Sequence, residues 1–271
     1  MNPHPRMSPL KYLPKLAGSS VVISLVLFQS AFGQRARPNE YLTAVTALME
    51  VKWPANRAIT VVCHGHSVPA GYFATPVVDS LHAYPNLLRV RLAKQHPHAI
   101  INIVVTAIGG EDSSKGAARF DKDVLALKPD VIMLDYALND RRIGLETARK
   151  NWVTMIEKAR TAGVKVILLT PTPDQAAKLD DPNDPLNRHA EQIRTLAAEH
   201  HVGLVDSLAA FVREIQNGAS LTDLMSQSNH PNARGHSLVA EEIFAWFPAP
   251  ARNLQIDNPQ PAAKTPSKPN P

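Results

Sequence analysis

Five short runs rich in Val and Ile constrain this chain more than any other feature: Ile59 to Cys63, Ile100 to Val105, Val131 to Tyr136, Val164 to Thr170 and Val202 to Val205. Each is bounded by polar residues, Gly or Pro, and each is predominantly apolar rather than strictly alternating. That is the pattern of strands covered on both faces. Between them the apolar residues fall at three- and four-residue intervals: Ala117, Phe120, Val124 and Leu127; Leu145, Ala148, Trp152, Met155, Ile156 and Ala159; Leu186, Ala190, Ile193 and Ala197. Such spacing predicts helices with one buried stripe. Pro85 suits the first turn of a further helix running to about Gln95, Gly163 sits where a left-handed helix cap wants glycine, and a last helix follows Gly235. Parallel neighbours need crossover connections, so this alternation predicts an α/β fold, a three-layer α/β/α sandwich around a five-stranded parallel sheet. Ligands of such sheets bind outside the carboxyl ends of the strands.

The ends of the chain differ from its body. Residues 1–33 have a basic stretch ending at Lys15, an apolar run from Leu16 to Phe28 and the small-x-small site Ala31-Phe32-Gly33, which together read as a signal peptide cleaved before Gln34. The run is short and punctuated by Ser and Gly, so no stable membrane insertion is expected after cleavage, and the expected location is periplasmic or secreted. Residues 34–247 form the expected domain, and 248–271 read as a disordered Pro-rich tail. The formal charge of +5 resides in Arg6, Lys11 and Lys15 and in the tail, leaving a body near neutrality. Nucleic-acid binding, which needs a clustered cationic face, therefore loses its support. Cys63 is the only cysteine and reads as a buried thiol.

The residues that follow the strands carry the chemistry. His64-Gly65-His66-Ser67 follows the first, and a small-residue turn there can lift a serine hydroxyl over the sheet. Gly109-Gly110-Glu111-Asp112-Ser113 follows the second; it offers either a backbone N–H to a developing negative charge or an ordinary tight turn with a Ser cap. Asn139 follows the third, and Asn229-His230-Pro231-Asn232-Ala233-Arg234-Gly235-His236 precedes the last helix. In this order the blocks resemble those of the SGNH (GDSL-like) hydrolases, over roughly Ile59 to Phe247. The resemblance implies a flavodoxin-like fold and a serine esterase without a cofactor or metal. It assigns Ser67 as nucleophile, His230 as general base and then acid, and the Ser67 and Gly110 N–H groups with the Asn139 amide as the oxyanion hole.

Two carboxylates usual in the family are missing: His66 stands where Asp precedes the serine, and Gln227 stands three residues before His230. If the Gln227 amide oxygen, or its backbone carbonyl, accepts from His230, a Ser-His dyad keeps the correct tautomer; Asp206 and Asp223 are other candidates for orienting it. His66 reads as a hydrogen-bonding substitute for the Asp. Two-residue spacing also lets His64 and His66 share a face, as a metal-binding pair would. The expected substrate is a small-molecule or polysaccharide ester carrying an acetyl-like group. The alternatives are a lysophospholipase or general carboxylesterase, and a non-catalytic binding protein that retains the fold.

Overall fold

A computed structural model of the chain describes residues 36–249. The expected leader, its cleavage before Gln34 and nearly all of the expected tail lie outside the described residues. In chain order the elements are α1 (Pro38–Tyr41), α2 (Thr43–Met49), β1 (Ala58–Gly65), α3 (Ser67–Ala70), α4 (Tyr84–Gln95), β2 (Ile100–Val105) and α5 (Ser113–Asp123), then β3 (Val131–Asp135), α6 (Ala137–Asp140), α7 (Leu145–Thr161), β4 (Lys165–Leu169) and α8 (Pro185–His200). They continue with β5 (Gly203–Val205), α9 (Ser207–Gln216), β6 (Met225–Gln227), β7 (His230–Pro231) and α10 (Ala233–Phe244).

Strands β1 to β5 pair in parallel in the order β2-β1-β3-β4-β5. This is the flavodoxin-like order, and its reversal point lies between β1 and β3. The pleat sends alternate residues to opposite layers. Ile59, Val61, Cys63, Val131 and Met133 pack with Leu88 and Leu92 of α4 and Val239 and Ile243 of α10. Val62, Ile132, Leu134, Val166 and Leu168 pack on the other face with Phe120 of α5, Trp152 and Met155 of α7 and Ile193 of α8. Both faces are therefore closed over β1, β3 and β4, whereas the edge strand β2 departs from the expectation and leaves Ile100 and Val105 exposed.

Some expected boundaries move. The stripe through Leu127 does not stay helical: α5 stops at Asp123, a 3-10 turn spans Leu125–Leu127, and Leu127 is exposed. Lys128 there takes a left-handed φ of 49°, which turns the chain back towards β3. Tyr136 leaves the sheet to open α6, and Trp246 lies beyond α10 yet stays buried. Gly163 has φ 73°, the conformation in which a residue without Cβ ends α7 with least strain.

Cys63 is a free, buried thiol that burial holds well above its ordinary range. Burial also pushes imidazoles down, furthest at His64 and His189, to about 4, and at His236, to about 3. Depressed histidines contribute nothing above the unfolded pKa of about 6.5, where both states are neutral. Below it the unfolded chain takes up protons that the folded chain refuses, so stability falls as pH falls. We expect the urea midpoint to drop steadily between pH 6.5 and 4.5, and replacing His64 with Gln to flatten that slope; equilibrium unfolding across this range checks it.

Candidate active site

The carboxyl ends of β1 and β3 meet at the reversal point of the sheet. Gly65 pairs with Asp135, and a Cβ on Gly65 would sit 2.4 Å from the Asp135 carbonyl oxygen and 2.8 Å from Pro69. Only glycine permits this approach. His66 N–H then donates to the same Asp135 carbonyl at 3.2 Å, and the chain turns at once into α3 with Ser67 as its first residue. Gly71, at φ 89°, closes this single turn.

His230 comes from the β6–β7 hairpin. Asn232 anchors it by capping α10, accepting from Arg234 N and Gly235 N at 2.9 and 3.1 Å. The hairpin sets His230 Nε2 2.8 Å from Ser67 Oγ, and both side chains are largely buried. On the other side of the ring, His230 Nδ1 lies 2.8 Å from the Phe73 carbonyl oxygen and 2.9 Å from Gln227 Nε2. These two neighbours make opposite demands on Nδ1. Gln227 Oε1 accepts Thr75 N–H at 2.8 Å, which fixes the amide with its nitrogen towards His230, and that nitrogen has Asn229 Oδ1 as an acceptor at 3.1 Å. No other donor is directed at the Phe73 carbonyl among the described residues. The network therefore places the proton on Nδ1, donated to Phe73, and leaves Nε2 bare to accept the serine proton.

This corrects the expectation for Gln227. Its side-chain oxygen does not accept from His230, because the Thr75 N–H holds that oxygen, and the backbone carbonyl facing the ring belongs to Phe73. Asp206 and Asp223 are also engaged elsewhere: Asp206 caps α9 and pairs with Arg194 at 2.7 Å, and Asp223 closes a capping box with Ser220. Desolvation lowers the His230 pKa, partly offset by the Phe73 carbonyl.

The glycine loop lies alongside Ser67 because the β1–β2 ladder continues past the strands: Thr106 N and Ile108 N donate to the Cys63 and Gly65 carbonyls, both at 3.0 Å. Gly110 follows at φ 76°. Arg142 donates to the Gly110 carbonyl at 2.7 Å and Asn139 Nδ2 to the Glu111 carbonyl at 2.8 Å, tying the loop to α6. Among the described residues neither the Ser67 nor the Gly110 N–H meets an acceptor, and Asn139 Nδ2 keeps one hydrogen unspent. The cap of α5 is Asp112, not a serine, accepting from Ser114 N at 3.1 Å. Asp140 is buried and accepts from Ser113 N and Trp152 Nε1, both at 2.7 Å, so it braces the loop.

His64 and His66 do not form a metal-binding pair. His64 contacts Thr106 Oγ1 at 2.8 Å and the Gly116 carbonyl at 3.1 Å, whereas His66 lies beside Ser67 and Asp135. Among the described residues no three His, Cys, Asp or Glu side chains converge as metal ligands would.

A cavity of about 420 Å³ beside the site is lined by Leu138, Asn139, Arg141, Arg142, Pro185 and Asn229. Another, of about 450 Å³, runs along β2 and α4 near Asn86 and Arg89 and is lined by none of Ser67, Asn139 and His230. Two parts of the site are missed by reasoning from the sequence, and only one of them leaves a signal there. The Phe73 carbonyl carries no signal, since every residue has one. Asp135 does carry one, an acid closing the otherwise apolar run Val131 to Leu134.

Comparison with known proteins bears on the fold and the family. Over 187 residues the chain is 26% identical to the uncharacterized lipoprotein YqeF of Bacillus subtilis (strain 168), covering 57% of this chain and 76% of that one. Over 168 residues it is 26% identical to an acetylxylan esterase of Geobacillus stearothermophilus, covering 56% and 76%. The crystal structure of Axe2, an acetylxylan esterase from Geobacillus stearothermophilus, superposes with a TM-score of 0.61 at 21% identity, over 70% of this chain and 94% of that one. The sequence model of the GDSL-like Lipase/Acylhydrolase family matches residues 63–238, and the chain belongs to that family.

Proposed function

We propose that this acylhydrolase is an exported serine esterase that removes small, acetyl-like groups from carbohydrate, with Ser67 as nucleophile. The observation that carries the reading is the 2.8 Å contact between Ser67 Oγ and a His230 Nε2 left free to accept a proton. In this reading Ser67 Oγ attacks the acyl carbon as its proton moves to His230 Nε2. The developing oxyanion is received by the Ser67 and Gly110 N–H groups and by the spare hydrogen of Asn139. Collapse breaks the ester C–O bond, and the imidazolium returns its proton to the departing alkoxide. Water, deprotonated by His230, then attacks the acyl-serine, releasing the acid and restoring the hydroxyl.

A triad acid holds the imidazole in its productive tautomer, and an amide in its place costs a serine protease about 10⁴ because it can present the wrong group. The Phe73 carbonyl can only accept. It therefore orients His230 without that ambiguity, though without a full charge, and Gln227 holds the loop that carries it through Thr75. A Ser-His dyad of this kind needs neither metal nor cofactor in the steps above.

The substrate assignment rests on three supports. The cavity beside Asn139 includes Asn139, Arg141, Arg142 and Asn229 in its lining, which offer hydrogen-bond donors to the hydroxyls of a carbohydrate alcohol. A relative is an acetylxylan esterase. Residues 1–33 have the pattern of a cleaved signal peptide, and among the described residues no helix is long and apolar enough to cross a membrane.

Ser67→Ala is expected to abolish both ester hydrolysis and labelling by a fluorophosphonate; a wild-type chain that takes no label would favour a binding protein instead. Asn139→Ala is expected to lower kcat by about 10²–10³, the cost of a lost oxyanion donor. Activity needs neutral His230, so the rate of the wild type should stay high as pH falls to about 6.5, the ordinary imidazole value, and decline only below it. Gln227→Glu keeps the contact with Thr75 and adds a charge at Nδ1, which should move that acid limb to higher pH. Release of acetate from acetylated xylan, compared with release of long-chain acids, tests the substrate; preference for the long chains overturns it.

A further inference from the structure

Ser67 has a second imidazole beside it. His66 Nδ1 lies 3.3 Å from Ser67 Oγ and accepts Val68 N–H, also at 3.3 Å. A ring nitrogen that accepts is unprotonated, so the neutral ring carries its proton on Nε2. That atom lies 3.3 Å from Asp135 Oδ1, and Asp135 Oδ2 accepts from Tyr84 Oη at 3.2 Å. His66, Asp135 and Tyr84 are all buried, Asp135 at 2% exposure. Among the described residues neither His66 Nε2 nor Asp135 Oδ1 forms a hydrogen bond; the two lie 3.3 Å apart, out of line for one. A carboxylate in such a place is costly unless it is used or well paired, and one hydroxyl with one long contact to a ring is a thin set of partners.

The geometry points to Asp135 as the carboxylate that serves this active site in place of the two that its family motifs lack. It acts beside His66, whose tautomer the Val68 N–H sets, as a positioning residue: it supplies the negative charge that favours the imidazolium formed on His230 as Ser67 attacks. The inference rests on the reading of Ser67 and His230 given above. Its electrostatic logic is that the Phe73 carbonyl orients His230 but adds no net charge, while burial of His230 and, to a lesser degree, the neighbouring His66 ring both disfavour its protonation, so a nearby negative charge has something to offset. No other carboxylate contacts Ser67, His66 or His230 among the described residues. The titratable groups packed around the pair are Cys63 on β1, Tyr84 on α4, His230 on β7, His236 on α10 and Tyr72 in the loop after α3. Asp79, which faces His236, is half-buried and paired with His82 at 2.7 Å.

The close approach of β1 and β3 also explains why the acid stands here. Register sets Asp135 opposite Gly65, and the pleat sends its side chain to the face of Met133, where Tyr84 reaches it. The residue that precedes the serine then bridges from Asp135 to the nucleophile.

The test is the pH dependence of kcat and KM for a simple acetate ester. Asp135→Asn keeps the size and the Tyr84 contact and removes the charge. It should lower kcat about tenfold, the effect of one pKa unit, leave KM within about twofold, and move the acid limb to lower pH. Adding Gln227→Glu, which returns a charge beside His230, should recover most of the lost rate and shift the limb back up. Unchanged kcat and limb in Asp135→Asn, or a loss that Gln227→Glu does not repair, overturns the inference. Should Asp135→Asn fail to fold, Tyr84→Phe decides: removing the hydroxyl that shares the charge should raise the acid limb, and a limb that stays or falls overturns the inference. Activity persisting in Ser67→Ala would instead mean that the nucleophile itself is wrongly assigned, whatever Asp135 does.

Discussion

The active edge of this molecule depends on one steric constraint, the contact between Gly65 and the Asp135 carbonyl where β1 and β3 end. No side chain fits there. Because the strands stay that close, His66 N–H reaches the Asp135 carbonyl and the chain must turn sharply, which presents Ser67 at the start of α3. The same closeness extends the ladder with β2 through Thr106 and Ile108, so that the glycine loop runs beside the serine. Packing of a parallel sheet thus brings a serine hydroxyl and a glycine loop to the same edge, which is what the proposed oxyanion hole requires. The β6–β7 hairpin completes the arrangement from the far end of the sequence, pinned by the Asn232 cap.

Around that edge the two jobs of a triad acid are divided. Orientation falls to a neutral acceptor, the Phe73 carbonyl, which can hold only one tautomer of His230. Charge falls, on our inference, to Asp135, buried on the other side of Ser67 and linked to it by His66. The division fits the two departures from the family pattern as one change. With Gln227 in place of the acid, the hairpin can hold the Thr75 and Phe73 loop by its amide oxygen, and a histidine before the serine gives the relocated carboxylate something to act through. A charge displaced in this way is screened less by water than one on the surface.

The fold was legible because it is written in periodicity, which is local. The five strand runs and the stripes of α5, α7, α8 and α10 could be read directly, while α9, ten residues or nearly three turns, turns only Leu208, Ala210 and Phe211 of its apolar residues inward and so offers a stripe of under one turn. Boundaries were less legible because they depend on partners: Tyr136 continues an apolar run by composition but has left the sheet to begin α6. At the site, Ser67, Gly110, Asn139 and His230 stand at strand ends or in a dense local motif, and the structure gathers them at one edge. The orienting group could not be read in the same way. Gln227 was suggested by spacing to His230, yet which end of its amide faces the ring is decided by Thr75, far away in sequence. His66 and Asp135 likewise acquire meaning only through β-sheet register.

The most direct test of the account is the protonation of the His230 ring at neutral pH, read from the nitrogen chemical shifts and proton couplings of the imidazole in isotopically labelled protein. The account predicts a neutral ring with its proton on Nδ1, hydrogen-bonded to a carbonyl, and a bare Nε2 facing Ser67. A neutral ring protonated on Nε2 would contradict it, because that nitrogen could not then take the serine proton.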